Sequence, residues 1–158
     1  MHAPEMIEPT GLSDYLAVMS RSVFEPGLNW QVVESKWPGI VETFEGFDPM
    51  RVAAFTPEDV DRMLGDPRVI RNRAKIEAVV HNAGEMLALE GAGGGFRDYL
   101  RSGLSYDGLA SDLKKRFKFV GDMGAYHFLY VVGEHVPPWE QWIGAHPSSR
   151  EGRVPHLR

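Results

Sequence analysis

Four cations fall in one short stretch of the sequence, beside a predicted break between two helices. They are Arg68, Arg71, Arg73 and Lys75. Pro67 disfavours a helical conformation at Asp66, so the first helix should end there. We expect a second helix to follow closely, with free backbone N–H groups near Val69 and Ile70. A helix N-terminus favours anions, and these amides and guanidinium groups together fit a phosphate. The alternative interpretation is a helix with a solvated basic face.

A second basic cluster alternates cations with aromatic residues just before Gly121. Its members are Lys114, Lys115, Arg116, Phe117, Lys118 and Phe119. Gly121 is predicted to open a helix whose first N–H groups would also face a phosphate. The alternative is a basic helix end, where cations suit the helix dipole, with at least one of the phenylalanines buried in the core.

Apolar periodicity and helix breakers predict the elements that position both clusters. Thr56 is expected to cap a short helix, with Pro57 at the first position and Asp59 in an acidic first turn. Six further helices are expected, by residue number, over 13–24, 29–44, 50–55, 96–100, 109–116 and from Gly121 onward, the second of them kinked or broken at Pro38-Gly39. The long helix that follows Pro67 should end at the glycine run 91–95. Residues 104–108 should form a loop, and a last turn is expected around Trp139. No alternating strand pattern is present, so the predicted fold is all-α, a compact helical bundle.

The charge is distributed unevenly along the sequence, and this distribution is compatible with a polyanionic partner. The net charge is −5, which is unusual for a phosphate-binding surface. However, residues 1–66 carry 4 Lys/Arg and 12 Asp/Glu, whereas residues 67–118 carry 10 and 6. Affinity for phosphates follows the local field rather than the total, so the middle of the chain suits a polyanion. A solvated mixed surface is the alternative that charge alone leaves open.

Bulk composition predicts a soluble, single-domain protein. The chain has 158 residues, 43% of them hydrophobic, and no cysteine. No apolar run approaches the roughly 20 residues of a membrane helix, and no signal-peptide pattern is evident. We therefore expect a cytoplasmic monomer without disulfides, in which one domain (13–145) lies between an irregular arm (1–12) and a polar tail (146–158).

Four blocks in the same order resemble the 3-methyladenine DNA glycosylase I family, within the helix-hairpin-helix glycosylase superfamily. They are PGLNW at 26–30, GFDPMRVAAF at 46–55, TPEDVDRMLGDPRVIRNRAKIEAVVHNA at 56–83 and LKKRFKFVG at 113–121. The resemblance implies a monofunctional enzyme that binds double-stranded DNA, flips out an alkylated purine and hydrolyses its N-glycosidic bond, without a cofactor. It makes both basic clusters the DNA-binding surface: Arg68, Val69, Ile70, Arg71, Arg73, Lys75, Lys114, Lys115, Arg116 and Lys118.

The resemblance also implies a base pocket. Trp30 matches the family's pocket tryptophan, whose indole face attracts a cationic base, although without the resemblance it is more often core. Tyr126 matches a family tyrosine and either lines the pocket or completes the packing. Glu34 lies one helical turn from Trp30 and faces the same cleft, unless it and the nearby Glu25 are solvated surface residues.

Several family features are absent from the sequence. Ser22 stands where the family has a pocket glutamate; it can hydrogen-bond a purine edge but carries no charge. The family's N-terminal Cys, Trp, Tyr and His stretch is missing, so we predict no zinc site and no other metal. No catalytic residue is identified, and His127 is only a possible proton carrier. The alternatives are a DNA-lesion-binding protein that keeps the clamp without base release, and a helical interaction protein that does not bind DNA.

Overall fold

The computed structural model describes residues 5–26 and 30–147, and this part of the chain is helical without any strand. Nine α-helices and one 3-10 turn follow in order: α1 (Leu12–Phe24), α2 (Trp30–Thr43), the 3-10 turn (Glu45–Phe47), α3 (Pro49–Ala53), α4 (Pro57–Leu64), α5 (Arg73–Glu90), α6 (Phe96–Leu100), α7 (Tyr106–Arg116), α8 (Asp122–Val131) and α9 (Trp139–Ala145). The all-α prediction is confirmed. None of the described helices combines the length and apolar composition needed to cross a bilayer.

The core is organised around α1 and α5, which contact each other and most of the remaining helices. Leu16 and Met19 of α1 and Ile76 and Val79 of α5 are fully buried. Their spacing of three or four residues places them on one face of each helix, as the periodicity predicted. These two helices therefore form the frame on which the basic segments lie.

The predicted start of α4 is confirmed in detail. The Thr56 hydroxyl accepts a hydrogen bond from the Asp59 backbone N–H (3.2 Å), and the Asp59 carboxylate accepts one from the Thr56 N–H (2.8 Å). Such a reciprocal capping box satisfies two backbone donors that the helix itself leaves free. Pro57 occupies the first position, where its missing N–H costs nothing.

Two predicted helix starts are wrong. The second hairpin helix does not begin near Val69, because Asn72 caps α5 by accepting a hydrogen bond from the Lys75 N–H (3.1 Å). Likewise α7 begins at Tyr106 rather than 109, since the Ser105 hydroxyl accepts from the Gly108 N–H (3.0 Å). Of the two alternatives predicted at Pro38-Gly39, a kink or a break, the break does not occur, because α2 continues through Pro38. A short polar cap outweighed the weaker propensity signals at the first two sites.

Candidate functional site

The loop between α4 and α5 is braced by an internal ion pair at its start. Asp66 accepts hydrogen bonds from the Arg68 backbone N–H (2.9 Å) and guanidinium (2.7 Å), which hold the pKa of Asp66 down to about 2. Arg68 also lies 3.4 Å from the Glu42 carboxylate of α2. A Cβ built on Gly39 would lie 3.1 Å from the Arg68 side chain, so this loop packs closely on α2. Arg68 therefore serves the loop's own structure.

Two further cations of the predicted clamp also have internal partners. Arg73 pairs with Asp61 on α4 and lies 4.0 Å from the Glu77 carboxylate. The largely buried Lys75 donates from Nζ to the Pro26 carbonyl (2.7 Å), and burial lowers the pKa of Lys75. These side chains tie α5 to α4 and to the end of the α1 segment.

Arg71 differs from its neighbours in this loop. It is exposed and forms no ion pair within the described ranges, although its charge acts on the Asp66 carboxylate. Together with Lys36 of α2 it lines an open hollow of about 350 Å³. Val69 is buried, and its N–H donates to the Asp66 carbonyl (3.3 Å), while Ile70 is half-buried beside the hollow. The loop therefore presents Arg71, rather than all of its cations, to an anion.

The second basic cluster divides in the same way. Lys114 pairs with Asp122, and Arg116 pairs with Asp112 (2.8 Å) and Glu85 (3.1 Å). Lys115 and Lys118 are exposed, and neither forms an ion pair with a described carboxylate, although the charge of Lys115 acts on the nearby Asp112. Two of the four cations are thus available to an external anion.

A buried polar group lies where α1 meets α8. The Ser22 hydroxyl is 3.4 Å from Nδ1 of His127, and both side chains are buried. Burial, and secondarily the charge of Arg21, lowers the pKa of His127 to about 4. His127 is therefore neutral near pH 7 and does not titrate in the neutral range.

The lowered pKa of His127 predicts how the free energy of unfolding depends on pH in the acid range. The unfolded chain binds a proton at His127 below its ordinary pKa of 6.5, whereas the folded protein does so only near 4. The free energy of unfolding should therefore fall as the pH drops between these values, by up to about 3 kcal/mol from this residue. Urea unfolding of the wild type and of His127→Gln from pH 7.5 to 4 measures the difference. An identical pH dependence in the two proteins would contradict the assignment.

Glu25, at the end of α1, is buried rather than solvated, which corrects the surface interpretation of this residue. It is 4% exposed; its Oε1 accepts from Nε of Arg21 (3.3 Å), and its buried Oε2 has no hydrogen-bond partner among the described residues. Burial raises the pKa of Glu25 against the opposing effect of Arg21. Glu34 is exposed and pairs with the same arginine. A carboxylate oxygen withdrawn from water without a donor is costly unless a ligand supplies one.

Tyr126 belongs to a small aromatic cluster between α8 and α9. Its hydroxyl donates to the Pro137 carbonyl (2.6 Å), and its ring centroid lies 4.8 Å from that of Trp142. The residue is almost fully buried, so Tyr126 contributes to packing. The side chain of Trp30, at the first residue of α2, lies outside the described part of the structure.

The residues of this chain do not fit a zinc site that needs a cysteine ligand. The chain has no cysteine to supply a thiolate. Across residues 5–26 and 30–147, no group of three or more His, Asp or Glu side chains is arranged to hold a metal ion.

Sequence reasoning did not bring Arg21, Ser22, Glu25 and His127 together. Arg21 and Ser22 lie on α1 and Glu25 directly follows it, but His127 is separated from Ser22 by 105 positions. The available signal is the number of polar residues at the end of an otherwise apolar helix. Which of them is buried depends on the packing of α8, and no local pattern encodes that.

Comparison with known proteins identifies the family. The family model described as methyladenine glycosylase matches residues 13–108. DNA-3-methyladenine glycosylase 1 of Escherichia coli (strain K12) is 35% identical, with 71% of this chain and 73% of that protein covered. DNA-3-methyladenine glycosylase of Haemophilus influenzae (strain ATCC 51907 / DSM 11121 / KW20 / Rd) is 32% identical, with coverage of 69% and 70%. This chain belongs to the methyladenine glycosylase family.

Solved structures agree with this assignment. A crystal structure of 3-methyladenine DNA glycosylase I superimposes with a TM-score of 0.71 at 33% identity, covering 80% of this chain and 81% of that one. A single-residue variant of 3-methyladenine DNA glycosylase I, in complex with 3-methyladenine, gives a TM-score of 0.70 at 26% identity, covering 80% of each chain. The resemblance inferred from the sequence motifs is confirmed.

Proposed function

We propose that this protein is a DNA glycosylase that hydrolyses the N-glycosidic bond of alkylated purines of the 3-methyladenine type. The observation that carries the proposal is the family membership over residues 13–108. Both curated relatives are named as DNA-3-methyladenine glycosylases. The substrate is double-stranded DNA containing an alkylated base, which must leave the stack before its glycosidic bond becomes accessible.

The chemistry requires little from the protein once the base is extruded. Alkylation at N3 gives the purine a positive charge, so the electrons of the breaking glycosidic bond neutralise the leaving base. Water adds to the sugar carbon and loses a proton, which yields an abasic site and free base. The protein contributes by holding the cationic base in a desolvated pocket, where its charge can be matched.

We assign that matching charge to Glu25. Arg21 donates to Oε1, and Oε2 has no partner within the described part of the chain, so this oxygen can accept a hydrogen bond from an amino group on the base. Ser22, one turn earlier, offers a hydroxyl to the purine edge, and Trp30 supplies an aromatic face for the cation. In this account Glu25 takes the role of the acid that Ser22 cannot fill. Glu34, which is exposed, is proposed to contribute only weakly at the rim of the pocket, and Tyr126 to support the pocket by packing behind it.

Phosphate binding is assigned first to the exposed cations that form no ion pair among the described residues. These are Arg71, Lys115 and Lys118. Lys36, which donates to the Pro67 carbonyl (3.0 Å), lies beside Arg71 and would add to the positive charge there. The remaining predicted contacts, Arg68, Arg73, Lys75, Lys114 and Arg116, would have to exchange or share an internal partner to reach DNA. Helices α4 and α5 with their connecting loop would then act as the helix-hairpin-helix.

Titration with free 3-methyladenine tests the pocket directly. In proton–nitrogen NMR spectra we expect saturable shifts of the Trp30 indole and of the Ser22 and Glu25 amides, and much smaller shifts with adenine.

A DNA-binding descendant without base release is the second candidate, favoured by Ser22 at the family's glutamate position. That candidate predicts no response to the free base together with normal salt-dependent binding of duplex DNA.

A further inference from the structure

The turn that joins α7 to α8 holds one residue in an unusual conformation. Phe119 has a φ of +60°, in the left-handed region that a bulky residue rarely adopts. Its neighbours Phe117 and Val120 are buried, whereas Phe119 is 52% exposed. The backbone therefore turns one aromatic side chain of this segment outward instead of letting it join the core.

Two side chains of α5 fix this turn. The buried Asn82 accepts a hydrogen bond from the Lys118 N–H (2.8 Å) and donates one to the Lys118 carbonyl (3.1 Å). A ring nitrogen of His81 lies 3.1 Å from the Arg116 carbonyl. Such unfavourable backbone conformations persist only where the surroundings determine them, and they are common at functional sites. The outward position of Phe119 is thus imposed by the fold.

The surface around Phe119 is cationic. Lys115 and Lys118 form no ion pair among the described residues, and together with the ring they border an open hollow of about 520 Å³. A protein partner would need acidic side chains to match these charges, whereas a nucleic-acid strand supplies phosphates on both sides of its bases. Alternating cations and an exposed aromatic ring are typical of surfaces that bind unstacked nucleotides.

We propose that Phe119 packs its ring against a nucleobase or sugar of the bound DNA strand, while Lys115 and Lys118 neutralise the adjacent phosphates. This inference rests on the proposed function and adds to it a second, aromatic contact remote in sequence from the α4–α5 loop. Phe119 acts as a binding residue, so it should affect affinity for DNA rather than the step that breaks the glycosidic bond.

Phe119→Gly tests the proposal, because glycine adopts positive φ without strain and the variant should fold at least as well. We expect its affinity for duplex DNA to fall about 5- to 30-fold, with an unchanged dependence on salt, since no charge is lost. Replacing Lys115 and Lys118 with glutamine should instead reduce the salt dependence. Leu104→Ala is the matched control, because Leu104 is also 52% exposed, and its affinity should equal that of the wild type.

The outcomes separate this proposal from the function on which it rests. A Phe119→Gly protein that binds DNA like the wild type, while the wild type still releases base, overturns the proposal and leaves the glycosylase assignment intact. A change in self-association by sedimentation, without a change in DNA affinity, would assign the ring to a second copy and also overturn it. A wild-type protein with no affinity for DNA at low salt would overturn both this proposal and the proposed glycosylase function.

Discussion

Glu25→Gln is expected to lower the single-turnover rate of base excision by about 100-fold, the size of effect typical of removing one buried electrostatic contact to a transition state. Glutamine keeps the shape of the side chain and can still accept from Arg21, but it brings no negative charge to a cationic base. Affinity for undamaged duplex DNA should not change, because Glu25 is buried away from the phosphates. Excision from alkylated duplex with protein in excess measures the rate.

Stability measurements separate this loss from misfolding. The folded pKa of Glu25 is raised, so its carboxyl contributes stability at low pH that is lost as the pH rises through that pKa. At pH 7 the glutamine variant should therefore be at least as stable as the wild type. Glu34→Gln is the matched control, since Glu34 pairs with the same Arg21 but is exposed. It should stay within about fivefold of the wild-type rate, because an exposed ion pair contributes little. Equal rates for Glu25→Gln and the wild type would exclude Glu25 from base recognition.

Arg71→Glu is expected to weaken binding to every duplex, damaged or not, by about 30-fold or more at roughly 0.1 M salt, because it replaces a phosphate contact with a repulsive charge. Fluorescence anisotropy across a salt series measures both the affinity and its salt dependence. The loss should shrink at high salt, where screening weakens all contacts to phosphate.

Arg71→Gln and Arg73→Gln form a matched pair that tests the assignment more finely. Both remove one positive charge from the same segment, but Arg73 is already paired with Asp61 and lies close to Glu77. Arg71→Gln should therefore cost clearly more affinity than Arg73→Gln. Equal losses would mean that the Arg73 ion pairs open when DNA binds, and an unaffected Arg71→Gln would remove the loop from the DNA interface.

Features that depend on neighbouring residues in sequence were predictable. The Thr56 capping box and the opening of α8 after Gly121 follow from residues within one helical turn, and both are present. The start of α5 was missed because the cap of Asn72 outweighed the break at Pro67. A proline indicates where one helix ends, but it does not indicate which residue will cap the next helix.

Features that depend on distant contacts were not predictable. In the sequence Arg71 and Arg73 look equivalent, yet packing of α4 beside α5 places Asp61 against Arg73, whereas Arg71 forms no ion pair among the described residues. Glu25 reads as an ordinary surface glutamate until the end of α1 is covered by the rest of the fold. The roles of the site residues therefore remain proposals that separate variants can test.

The most direct measurement is the identity of the base released from methylated duplex DNA when the protein is in excess. We predict free 3-methyladenine, detected by mass spectrometry, with an abasic site left in the strand and no strand cleavage. Duplex DNA bound with normal salt dependence, but with no free base at stoichiometric protein, would contradict the glycosylase assignment and favour a lesion-binding protein.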